Sequence, residues 1–205
     1  MKTVVVGLAE CRCSGDASAQ LVTYSLGSCI GMAAFDPSTG VGGLLHYVLP
    51  ESGADPAKAA IQPAMFADTG IGLLLDSMER LGASRRRLKV RLAGGAQLVD
   101  PAGVLNIGRR NYLAARKLLW KHGLILEMEA VGGSVSRHMG LDLSNGEIWV
   151  KTHPGVEAPA GAVVTATPAA LNAPAEANAR IDPIRLEAGP MMRLGDVTKK
   201  VVPKM

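Results

Sequence analysis

Cys29 follows a Gly27-Ser28 pair, and His46 stands 17 positions further on, inside the apolar run Leu44-Leu45-His46-Tyr47. A thiol and an imidazole brought together are the minimum equipment of a cysteine nucleophile with its base: the ring takes the thiol proton and the sulfur attacks a carbonyl carbon. The Gly27-Ser28 turn would expose the backbone N–H groups of Ser28 and Cys29, which suit a developing oxyanion. Ser28 is a poor rival nucleophile, because its hydroxyl would need the histidine to itself. The same residue types have plainer uses. Cysteine is among the residues most often buried, and a histidine in an apolar strand commonly bonds a carbonyl. Spacing alone leaves both readings open.

The elements that must position this pair are strands. Residues 30–35 and 41–48 are apolar throughout, and Asp36-Pro37-Ser38-Thr39-Gly40 between them has turn chemistry: Pro presets φ, Gly accepts positive φ and Asp caps locally. A turn centred between Pro37 and Ser38 sets Cys29 opposite His46, with Cβ atoms about 4.5–5.5 Å apart. Further strands are expected at residues 3–8, 20–24, 87–93, 124–131, 135–141 and 147–152, with an Asn145-Gly146 hairpin turn between the last two. Ile71, Leu74, Leu75, Met78 and Leu81 repeat at helical spacing before Gly82, and residues 109–122 form a second helix ending at Gly123. Strands outnumber helices and are often joined by hairpins. The expected fold is α/β of the α+β kind: a mixed or antiparallel β-sandwich with helices packed on it, not a doubly wound sheet.

Thr23 and Leu26-Gly27-Ser28-Cys29, then Asp36-Pro37, Val41-Gly42-Gly43, His46 and Leu49-Pro50, resemble the CheD family of chemoreceptor glutamine deamidases. Ala67-Asp68-Thr69, Gly94-Gly95-Ala96, Asn106-Ile107-Gly108-Arg109-Arg110-Asn111 and Gly132-Gly133 with Arg137 continue the likeness, which covers about residues 3–152. Ser136 departs from it, since the family commonly has Gly before that Arg. The resemblance implies the CheD-like sandwich, Cys29 as nucleophile, His46 as base, and Thr23 as the third member that orients the imidazole. It implies hydrolysis of specific glutamine amides on chemotaxis receptors, no cofactor, and a CheC-type phosphatase as a further partner. It also leaves room for methyl-ester hydrolysis. Two other classes remain: a regulatory binding module with a vestigial site, and a general Cys–His peptidase or acyltransferase.

Composition bounds these readings. Apolar residues make up 48% of the 205 and aromatics only 3%, so the core must be aliphatic. Three cysteines, an odd number, argue against a disulfide framework, and the lone Cys11-Arg12-Cys13 lacks a second pair for a metal. No run reaches membrane-spanning length, so a cytoplasmic location without membrane insertion is expected. The cluster Arg85-Arg86-Arg87 with Lys89 and Arg91 reads as a solvated turn and strand face. A net charge of +4, few aromatics and no binding module make nucleic acid a poor partner. The deamidase-like domain is expected to occupy residues 1–153. Residues 154–205 read as an Ala/Pro-rich flexible linker and a tail whose Ile184, Leu186, Met191, Met192 and Leu194 could dock.

Overall fold

A computed structural model describes residues 1–97 and 105–152, together with the backbone of Val156 and Glu157. The expected linker and tail otherwise lie outside the described residues. Two mixed five-stranded sheets carry the chain. The first has the order β1 (Lys2–Val5), β3 (Ala19–Leu26), β8 (Arg137–Asp142), β9 (Ile148–Thr152), β10 (Val156–Glu157). The second has the order β2 (Glu10–Ser14), β5 (Val41–Tyr47), β4 (Ile30–Asp36), β6 (Lys89–Gly94), β7 (Leu126–Val131). Among the described strands only β1–β3 and β6–β7 pair in parallel.

The continuous apolarity of residues 30–35 has a direct cause: β4 is buried on both faces. Ala33 and Phe35 pack with Leu21, Leu26, Met139 and Leu141 of the opposite sheet, forming the interior of the sandwich. Ile30, Met32 and Ala34 face the other way, onto a second core shared with two helices. These are α2 (Ala67–Arg80), which contributes Ile71, Leu74, Leu75 and Met78, and α3 (Ile107–Lys121), which contributes Ala115 and Leu119. The sandwich with helices on its outer face agrees with the sequence expectation. A short α1 (Pro56–Ile61), opened by Asp55 accepting from the Lys58 N–H at 2.9 Å, was not legible, being less than two turns long. Among the described residues no helix is long and apolar enough to cross a membrane.

Two expectations are corrected. The β4–β5 register pairs Asp36 with Val41 and Gly31 with His46, so Cys29 does not stand directly opposite His46. The turn spends four residues, Pro37–Gly40, closed by the Asp36 carbonyl accepting from the Gly40 N–H at 2.9 Å, and this moves the pairing by two. A shift by two keeps every side chain on its face, whereas a shift by one would have sent His46 to the helices. Second, β2 was not among the expected strands: Cys11 and Cys13 lie within it, paired with Leu45 and Gly43. The arginine cluster is an exposed turn and strand face, as expected, with Arg86, Arg87 and Lys89 exposed. Arg87 grips the fully buried Asp36 carboxylate through two bonds of 3.0 and 2.7 Å, and Arg85 pairs with Asp76 and Glu79. Beyond residue 153, Val156 and Glu157 add a short edge to β9.

Candidate active site

β3 supplies Thr23, β5 supplies His46, and the turn leading into β4 supplies Cys29. Side chains alternate along β5, so Leu45 and Tyr47 face the helices while Leu44 and His46 face the opposite sheet. There His46 meets Thr23: Oγ1 and Nδ1 are 2.8 Å apart, and both residues are buried. Thr23 Oγ1 also lies 2.7 Å from the Val6 carbonyl oxygen, which can only accept. The one hydroxyl proton therefore goes to Val6, and Oγ1 must accept from His46 Nδ1–H. This fixes the tautomer and leaves the lone pair on Nε2. Nε2 is buried and has no hydrogen-bond partner among the described residues.

Cys29 lies two residues before Gly31, the residue facing His46, and so belongs to the same face of the sheet. Diagonal neighbours in an antiparallel pair stand about 7 Å apart at Cβ, within reach of a thiol and an imidazole. Cys29 packs against the inter-sheet core and is half-buried. Burial pushes its thiol pKa up, with its own backbone N–H pulling the other way. The same burial lowers His46 to about 4. At neutral pH the resting pair is thus an uncharged thiol and an uncharged imidazole. Cys13 is the thiol pulled below its usual range, by a hydrogen bond from Cys11, which is pushed up in turn.

The chain reaches Cys29 through an irregularity. A bulge interrupts the β3–β8 pairing between Thr23 and Leu26, Ser25 takes a φ of 57°, and its N–H donates to His138 Nδ1 at 3.1 Å. After the bulge, three successive carbonyls are held. Gly27 accepts from the Ala96 N–H at 2.7 Å and Cys29 from the Gly95 N–H at 2.8 Å. Ser28 accepts from Asn111 Nδ2 at 2.9 Å. Gly94 has a φ of 112°, and a Cβ there would sit 2.1 Å from the Cys29 carbonyl oxygen, so only glycine fits. Arg137, itself buried, ties this loop to the next by donating to the Gly94 carbonyl at 3.5 Å, the Gly132 carbonyl at 2.8 Å and the Val135 carbonyl at 3.2 Å. Among the described residues, the N–H groups of Ser28 and Cys29 have no acceptor outside Cys29 itself.

Sequence reasoning singled out Cys29, His46 and Thr23, but it gave Asn111 no task beyond its place in a motif. The available signal was an amide flanked by the inward-facing Tyr112 and Ala115 on an amphipathic helix. Asn111 is fully buried; Nδ2 also donates to the Val48 carbonyl at 2.7 Å, and its own carbonyl accepts from Tyr47 Oη at 2.7 Å.

An α+β sandwich that brings a thiol, a tautomer-locked imidazole and backbone N–H groups to one end of its inner layer holds the kinds of group that acyl transfer through a thiol requires. The chain belongs to the CheD family: the model for CheD chemotactic sensory transduction matches residues 48–152, beginning two positions after His46. Over 151 residues the chain is 49% identical to the probable chemoreceptor glutamine deamidase CheD of Solibacter usitatus, an alignment spanning 74% of this chain and 89% of that protein. The corresponding protein CheD 1 of Syntrophus aciditrophicus is 42% identical over 152 residues, 74% of this chain and 95% of its own. That of Pyrococcus horikoshii is 41% identical over 150 residues, 72% of this chain and 91% of its own.

Proposed function

We propose that this protein is a protein-glutamine glutaminase, hydrolysing specific glutamine side chains of chemotaxis receptors to glutamate with release of ammonia. The observation that carries the chemistry is the bare Nε2 of His46, whose other nitrogen is committed to Thr23. The names of the relatives supply the substrate class. The Cys29 thiol passes its proton to Nε2 while Sγ attacks the side-chain carbonyl carbon. Negative charge on the carbonyl oxygen is met by the Ser28 N–H and by the Cys29 N–H, which at rest faces its own Sγ. As the C–N bond breaks, Nε2–H returns the proton to the nitrogen, which departs as ammonia. Water then attacks the thioester, loses a proton to Nε2, and leaves glutamate; that proton goes back to Sγ. Thr23 keeps the ring in the tautomer this requires, but a hydroxyl cannot stabilise an imidazolium as a carboxylate does.

In this reading the protein acts in the cytoplasm on the inner part of receptors, adjusts their adaptation, and shares its site surface with a CheC-type phosphatase. The catalytic domain occupies residues 1–153 with Val156 and Glu157 as its last edge strand, and the segment after them is an appendage. Intact mass of a co-expressed receptor fragment tests the reaction, since each conversion of NH2 to OH adds about 1 Da. Wild type should give this gain and Cys29→Ala should not. An unchanged gain with Cys29→Ala would sink the proposal. No gain with wild type would favour a regulatory binding module.

A further inference from the structure

The carbonyl clamps around Cys29 come from two sources with different chemistry. Gly95 and Ala96 contribute backbone N–H groups, but the clamp on Ser28 is a side chain from a distant helix. Because the Ser28–Cys29 peptide is planar and trans, its C=O and N–H point in opposite directions. Drawing the Ser28 carbonyl onto Asn111 therefore turns the Cys29 N–H away from α3. That N–H faces its own Sγ, the atom on which a tetrahedral intermediate would be built.

Asn111 is itself held rigidly. Both Nδ2 protons are committed, to Ser28 and to Val48, which fixes the amide orientation, since a flipped Oδ1 would face two carbonyls. Tyr47 Oη secures the backbone of the same residue at 2.7 Å. Yet among the described residues Oδ1 is buried without a donor. A site shaped for stability alone would avoid that cost of an unpaired buried acceptor. What the amide offers in return is a double donor reaching the nucleophile turn.

We infer that Asn111 is a positioning residue for the oxyanion donor: by holding the Ser28 carbonyl it sets the Ser28–Cys29 peptide plane so that the Cys29 N–H meets the charge formed on the substrate carbonyl oxygen. The inference rests on Cys29 being the nucleophile. It separates two reactions of one thiol. Acylation by an activated ester builds an oxyanion; alkylation by iodoacetamide displaces iodide and builds none. Both need the thiol and its base.

The test reads both reactions at Cys29 by peptide mass spectrometry in the full chain. With Asn111→Ala, acylation by p-nitrophenyl acetate should slow about 10- to 100-fold, a fraction of the loss from deleting a donor outright. Alkylation should stay within about twofold, and kcat on a receptor fragment should fall with KM unchanged. In Asn111→Asp a protonated carboxyl can donate one bond, so acylation measured relative to wild type at the same pH should recover as pH is lowered from 7 towards 5, and in Asn111→Ala that ratio should not change. Equal slowing of acylation and alkylation would make Asn111 merely structural and overturn the inference. A measurement on wild type covers the case in which neither variant folds: the Cys29 amide proton should move downfield when an aldehyde forms a thiohemiacetal on Sγ. An unmoved Cys29 resonance would overturn the inference too. A fully active Cys29→Ala would instead remove the nucleophile reading beneath it.

Discussion

Thr23 and His46 show how one hydroxyl proton can decide a base. Replacing Thr23 by Val keeps shape and β-propensity but deletes the acceptor for Nδ1–H, so the ring is free to place its proton on Nε2. We expect Thr23→Val to lower kcat on a receptor fragment by about 10- to 100-fold, while His46→Ala approaches Cys29→Ala, because both proton transfers run through the ring. A Thr23→Val enzyme as inert as His46→Ala would show that the hydroxyl does more than orient. Charge at the sulfur gives a second test. With the thiol raised and His46 lowered to about 4, no thiolate should rest at Cys29 at pH 7. The thiolate absorbance near 240 nm, taken as wild type minus Cys29→Ala, should stay flat until pH exceeds 9. A step near pH 4 would instead mean a resting thiolate–imidazolium pair. The subtraction matters because Cys13 carries the lowered pKa, so a general thiol reagent would report on β2 and not on the candidate nucleophile.

At the scale of elements, the site is the meeting of a strand start, a bulge and a glycine loop. Gly94→Ala would set a methyl against the Cys29 carbonyl at a backbone angle that L-residues avoid. Activity should fall at least tenfold and stability by about 2 kcal/mol, read by chemical unfolding. An unaffected variant would mean that the loop is not needed to hold the nucleophile turn. How much of this was legible follows from what each signal encodes. β4 and β5 announced themselves through burial on both faces, and α2 and α3 through apolar spacing ended by Gly82 and Gly123. β2 did not, because Glu10-Cys11-Arg12-Cys13-Ser14 is a polar edge whose only apolar face is two thiols. The β4–β5 register was missed because turn residues mark a reversal without fixing how many of them it spends. The parity of the error preserved the face, which is why Cys29 and His46 were still paired on one surface. Asn111 stayed hidden for another reason: its partners are backbone carbonyls, which carry no sequence identity.

For the whole molecule, two groups tie stability to pH in separate windows. His46 is lowered from 6.5 to about 4, so between those values the unfolded chain binds the extra proton. Stability is full above pH 6.5 and should decline by about 3 kcal/mol as pH falls towards 4. Urea unfolding of His46→Asn should lack this slope. Asp36, held well below the usual carboxylate range first by the Arg87 guanidinium, is favourable above its normal pKa and adds a loss only below about pH 4. A slope retained in His46→Asn would place the responsible proton elsewhere. A chain cut after Glu157 keeps every described element. It should melt within about 3 °C of full length and act equally on an unstructured glutamine peptide; aggregation of the cut chain would put part of the fold beyond that point. The tie between Thr23 and His46 also bears on the order of synthesis. Cys29 and His46 leave the ribosome together on one hairpin, but Thr23 belongs to the other sheet, where it pairs with Met139 and is flanked by strands ending at Thr152. A nascent chain that has released the hairpin already carries Thr23 and its parallel partner β1, but not β8 and β9, which complete the sheet that holds Thr23 against the ring. Catalytic competence therefore waits until synthesis has passed Thr152.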